Sequence, residues 1–200
     1  MKSLAIALLT AATALISSAH GQTAPPDLDI KRPAVFCHDT YALCIRALCT
    51  PDASDSSKVV CSCSVEEGWS MGPGNCASRH PVRDGDGVMT IISTYSNRFN
   101  NVEKTLTCAN EDTKWAWCYG APCKVDIHDP KSAACKCPVV TGPMRTLGGT
   151  CDHDNCSKIW SAATPKADAF ANRHFYLYMK TYHPRNPTNA PALACLNKRI

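Results

Sequence analysis

The apolar positions of this chain fall in a few short runs separated by long polar stretches. Leu4 to Ile16 form an apolar run behind Lys2, closed by the small residues Ser18, Ala19 and Gly21. The run is too short to span a bilayer and reads as a cleaved secretory signal peptide over residues 1–21. No later run is long enough for a membrane helix. Residues 22–36 carry three prolines and little apolar content, the composition of an extended N-terminal arm. Beyond it, Lys58 to Ser64 and Ser132 to Cys137 read as short strands. Val88, Ile91, Ile92 and Tyr95 fall at helical spacing, as do Phe175, Tyr178, Met179 and Tyr182, predicting helices over about 86–97 and 165–182. The later helix has its own punctuation: Thr164 as cap, Pro165 in the first turn, and a stop before Pro184. Taken alone, Val88 to Ile92 is rich in β-branched residues and strand-like; its helical assignment comes from matching it to Phe175 to Met179.

That matching rests on the cysteines. Cys44, Cys49, Cys61 and Cys63 recur as Cys118, Cys123, Cys135 and Cys137 at one constant offset, 74 in the numbering. Other residues follow the same offset: Ala42 and Ala116, Ala47 and Ala121, Asp52 and Asp126, Asp55 and Asp129, Gly68 and Gly142. Further on, Thr94, Tyr95, Arg98 and Cys108 match Thr181, Tyr182, Arg185 and Cys195 at an offset of 87. The expected architecture is a small disulfide-rich α+β fold. It has two tandem duplicated cysteine-rich units, 37–110 and 111–200, each with short strands, long loops and one helix. Two copies are too few for a solenoid, so a two-lobed molecule is expected.

Export places the chain where thiols oxidise, outside the cell or in a periplasm. All 14 cysteines lie beyond the signal peptide, so seven disulfides are expected. Units this small gain little from core burial, and disulfides of about 2–4 kcal/mol each make up the difference. Neighbours in Cys-x-Cys point the same way from an extended strand and should not pair with each other. Six cysteines align in each unit, leaving Cys37 and Cys156; three bonds per unit plus Cys37–Cys156 is the simplest pairing. A second count is open: six cysteines from Cys37 to Cys76 and six from Cys108 to Cys151. With their Cys-x-Cys and a glycine-bearing loop (Gly68-Trp69 in the first), these stretches resemble epidermal-growth-factor-like modules. The resemblance would leave Cys156–Cys195 as the remaining pair. It implies a binding role and no activity.

Charge and motifs narrow the function. The formal charge is +4, or +3 once Lys2 leaves with the signal peptide, and the basic residues are scattered. Nothing forms a stripe that would track a phosphate backbone, which argues against nucleic acid. No nucleophile elbow, HExxH, P-loop or dinucleotide fingerprint is present. His153, His174 and His183 could act as bases, but no serine or free cysteine stands out beside them. Asp152, His153 and Asp154, between Cys151 and Cys156, with His128 nearby, have the donor chemistry of a metal site; a turn between bonded cysteines explains the same residues. The recurring Asp52/Asp55 and Asp126/Asp129 read as turn caps, with Ca²⁺ ligation as the sharper alternative. No cofactor is expected. The aromatic-rich second helix region, with Trp160, Arg173, His174 and Tyr176, suits a contact surface. The chain is therefore expected to be an exported binding protein for a protein or surface glycan. The alternative is a metal-dependent or hydrolase-like enzyme using His and Asp residues around 126–154.

Overall fold

The computed structural model of the chain describes residues 34–97, 105–147, 149–151 and 158–183. The stretch read as a signal peptide, most of the expected arm, Arg98, Arg185, Asp152, His153, Asp154, Cys156 and Cys195 lie outside the described residues. Among those described, no helix is long and apolar enough to cross a membrane.

The first unit is built from β1 (Val35–Leu43), β2 (Leu48–Pro51) and the long β3 (Lys58–Gly72). Val35 and Phe36, assigned by sequence to the arm, thus open a strand. A short 3-10 turn (Ala77–Arg79) follows, then β4 (Val82–Arg83) and β5 (Met89–Ile92). β6 (Thr105–Cys108) comes before the boundary expected at 110, and β7 (Lys114–Ala116), β8 (Pro122–Val125), β9 (Ser132–Thr141) and β10 (Met144–Leu147) follow it. β11 (Ile159–Trp160) and α1 (Pro165–Tyr182) close the described chain. The two expected strands and the helix at 165–182 are present, the strands longer than expected.

The centre is antiparallel pairing of β3 with β9, from Lys58↔Pro138 to Ser64↔Ser132. Cys61 faces Cys135 in this register, so the β3–β9 pairing is symmetric about that one pair: Val59 meets Cys137 and Cys63 meets Ala133. β2 and β8 flank the pair, giving the order β11-β2-β3-β9-β8-β5-β4. The units share one sheet rather than meeting as separate lobes. Alternation turns Val59, Cys61 and Cys63 inward from β3, and Ala133, Cys135 and Cys137 inward from β9.

Both hairpin turns are held by the recurring aspartates. Asp52 Oδ1 accepts from the N–H of Ser54 (2.8 Å) and of Asp55 (3.2 Å). Asp126 Oδ1 accepts from the N–H of His128 (2.8 Å) and of Asp129 (3.4 Å). Asp55 and Asp129 in turn accept from Ser57 and Lys131. These are Asx turns, the bland reading of the motif. In the first turn the carboxyls are also charge-paired. The Lys136 ammonium, 2.8 Å away, and then the Ser54 hydroxyl and amide hold Asp52 well below the usual carboxylate range. Ser57 and Lys58 hold Asp55 at about 2. Because both folded values are depressed, their stabilisation is complete above about pH 4 and is lost as pH falls through those values. An Asp52→Asn/Asp55→Asn chain should therefore lose less stability than the native chain between about pH 4 and pH 2. Guanidinium midpoints against pH measure this; parallel slopes would refute it.

Two expectations are corrected. The segment 86–97 is not a helix: β4 and β5 form a hairpin turned by Asp84, whose Oδ1 accepts from the N–H of Asp86 and Val88. β5 pairs with β8 (Ile91↔Cys123), and Ile91 is fully buried. The β-branched residues there behave as their local preference dictates; the offset of 87 misled. The structural counterpart of 91–95 is 159–163, at an offset of 68. Ser93 bridges Ala42 and Ser161 bridges Ala116; Tyr95 bridges Met71 and Ala163 bridges Arg145. Accordingly Tyr95 is buried while Tyr182 is 68% exposed. The second correction concerns Cys37, which bonds Cys76 and not Cys156.

Among the described residues the disulfides form two nested sets of three, the second reaching back to Cys108, before the boundary expected at 110. Cys37–Cys76, Cys44–Cys63 and Cys49–Cys61 brace the first; Cys108–Cys151, Cys118–Cys137 and Cys123–Cys135 brace the second. The six-cysteine counts of 37–76 and 108–151 thus delimit the bonded sets. The members of each Cys-x-Cys take different partners, as their common face requires. The core around them is mostly sulfur, alanine and valine.

The units also exchange elements. β5 of the first unit pairs with β8 of the second, and β11 of the second pairs with β2 of the first. α1 then lies over the far end of the β1–β3 ribbon, where Phe175 and Met179 pack with Met71, Tyr95, Phe36 and Trp69.

Candidate functional site

The helix α1 is specified locally at its start. Thr164 Oγ1 accepts from the Ala167 N–H at 3.0 Å, and Pro165 occupies the first turn. Ala167, Asp168, Ala171, Phe175 and Met179 form its buried stripe. Asp168 ties the helix to β10 through Arg145, 3.0 Å away. Burial raises the Asp168 carboxyl, opposed by the Arg145 guanidinium.

The opposite face is solvent-exposed and has an unusual composition. Ala169, Arg173, His174, Leu177 and Lys180 are exposed, with Phe170 and Tyr176 half-buried beside them. Leu177 is 47% exposed. The His174 ring lies on Phe170 (centroids 3.8 Å apart), and its Nδ1 is 2.9 Å from the Phe170 carbonyl. The Lys180 ammonium sits 5.8 Å from the centre of the Tyr176 ring. Asp168 is the only acid of the helix, and it is buried, so this face combines cations and apolar groups with no exposed carboxylate of its own.

At the C-terminal end the face runs into an aromatic cluster. Tyr178 stacks on Phe36 at 4.0 Å and meets Tyr182 at 5.1 Å. Trp69 contacts His183 at 4.1 Å and takes His38 edge-on at 5.5 Å. The β1–β3 register makes that last contact, because His38 faces Trp69 directly.

Of the residues singled out by sequence, Arg173, His174 and Tyr176 come together on this face. Trp160 lies on β11, half-buried, its indole against Gly149. A Cβ at Gly149 would collide with that ring, and its φ of +97° also favours glycine. His128 sits exposed in the β8–β9 turn. Among the described residues, the groups of three potential metal ligands are all cysteines. Phe36, His38 and Leu177 carry no signal in the sequence; Trp69 is read there only as part of a glycine-bearing loop, Tyr178 and Tyr182 only as helix positions, and His183 only as a possible base. Beneath α1, Tyr95, Trp117, Tyr119 and Asp168 border a cavity of about 50 Å³, far below the roughly 300–1,000 Å³ of small-molecule clefts.

Comparison with known protein families, characterised proteins and solved structures finds no match.

Proposed function

We propose that this is an exported, disulfide-braced binding protein, built by duplication of one cysteine-rich unit, that recognises an acidic protein surface through the outer face of α1. The observation that carries this is the juxtaposition of Arg173, His174 and Lys180 with exposed Leu177 and Tyr182 on one helix without an exposed acid. Aromatic and arginine side chains with a neighbouring apolar anchor are the residues that dominate protein contacts. The cations favour an acidic partner and faster encounter with it. The exposed leucine favours a protein over a glycan.

The test is capture of a partner from the chain's own extracellular or periplasmic milieu, with binding then measured on the purified partner. Arg173→Ala/His174→Ala/Leu177→Ala should weaken binding at least about tenfold, while a Ser62→Ala control on the exposed sheet face should not. Protease treatment of the bound material should abolish capture and deglycosylation should not. Equal binding by both variants, or sensitivity to deglycosylation alone, would refute the reading.

A further inference from the structure

Among the residues that border the cavity beneath α1, Asp168 alone carries a charge. The space opens where two matching stretches meet. Ser93, Thr94 and Tyr95 line one part, and Ser161, Ala162 and Ala163, their counterparts at the offset of 68, line another. Thr94 and Tyr95 are thus answered by alanines. The helix adds two more, Ala167 and Ala171, and these four small side chains leave the volume unfilled.

The remaining walls are aromatic and polar. The rings of Trp117 and Tyr119 lie 6.0 Å apart and tilted. Thr94 is buried, and its Oγ1 has no hydrogen-bond partner. Asp168 is 8% exposed. Arg145 pairs with it at 3.0 Å, yet burial outweighs that guanidinium and still raises the carboxyl. Arg145 is not among the residues that border the cavity. The cavity therefore presents an undercompensated carboxylate, aromatic faces and a free hydroxyl oxygen, all of which favour positive charge.

We propose that this cavity binds a small methylated ammonium ion, with Asp168 as counter-charge, the rings of Trp117, Tyr119 and Tyr95 as walls, and Thr94 Oγ1 accepting from an ammonium N–H. Size sets the class. The volume is about 50 Å³, and one water takes about 10–15 Å³ of such space, so there is room for roughly three to five non-hydrogen atoms. Every bordering residue is buried or half-buried, which selects the free ion over the head of a larger molecule.

The test titrates the full oxidised chain with tetramethylammonium, trimethylammonium, choline and tert-butanol, read by saturation-transfer proton NMR. Tetramethylammonium should bind at least about tenfold more tightly than tert-butanol, which has the same number of non-hydrogen atoms and no charge. Choline, two such atoms larger, should also bind at least about tenfold more weakly. Asp168→Asn should weaken the ammonium ions at least about tenfold, and Ala171→Leu, which fills the space, should abolish binding. Thr94→Val keeps the shape of its site; it should weaken trimethylammonium about threefold or more and leave tetramethylammonium, which has no N–H, within about twofold. The Thr94 variant and the native-chain comparisons keep the proposal testable if the α1 variants fold poorly by circular dichroism. Absence of tetramethylammonium binding, equal binding of tert-butanol or choline, or binding undiminished in a folded Ala171→Leu chain would overturn it.

Discussion

Replacing Arg79 by alanine is expected to cost about 3–5 kcal/mol, because it leaves a carboxylate buried without its counter-charge. Arg79 is 2% exposed, and its Nε lies 3.6 Å from Asp39 Oδ2. Asp39 is otherwise held by the Ser70 hydroxyl, 3.0 Å from Oδ1. The guanidinium is pressed against Gly72, where any Cβ would collide with it, and beside Thr94. Burial lowers the Arg79 pKa, and Asp39 and then Tyr119 oppose that shift. Burial also pushes the Tyr119 hydroxyl up to about 12. None of the guanidinium nitrogens makes a close hydrogen bond, so the desolvation of the pair is poorly compensated. Buried pairs of this kind can often be replaced by apolar residues at little cost. Asp39→Leu/Arg79→Met should therefore recover most of the loss. Guanidinium unfolding of the three chains measures both effects. A single variant within about 1 kcal/mol of native would mean that Asp39 is solvated after all.

Removing Cys49–Cys61 by double alanine substitution is expected to cost about 2–5 kcal/mol, and removing Cys123–Cys135 the same to within about 1 kcal/mol. The two bonds span equal sequence separations of 12 and occupy equivalent places between paired strands. All four sulfurs are fully buried, so each deletion also opens a void in a core that has little else to fill it. Unequal costs would show that the two halves do not share the load as their geometry implies.

The sequence made the local devices legible and hid the distant ones. The Cys-x-Cys strands, the Asp52 and Asp126 turns and the Thr164-Pro165 helix start are each written within a short stretch of chain, and the structure has each of them in place. At 86–97 the alignment and the local chemistry conflict: Val88 to Ile92 is rich in β-branched residues, and Met89–Ile92 is a hairpin strand. Cys37 is left over in the sequence alignment because its counterpart Cys108 falls short of the common offset and matches Cys195 instead. The Asp39–Arg79 pair has no periodic signature, since burial of a charge depends on contacts between segments far apart in the chain. The aromatic end of α1 is half legible. Tyr178 and Tyr182 belong to the helix pattern, but Phe36, His38 and Trp69 join them only because α1 docks on the β1–β3 ribbon.

Non-reducing peptide mapping, with fragmentation between Cys61 and Cys63 and between Cys135 and Cys137, asks most directly whether the bonds form two separate nested sets. The expected map pairs Cys37 with Cys76, Cys44 with Cys63 and Cys49 with Cys61, then Cys108 with Cys151, Cys118 with Cys137 and Cys123 with Cys135. A Cys37–Cys156 peptide, or a bond between units such as Cys44–Cys135, would contradict it.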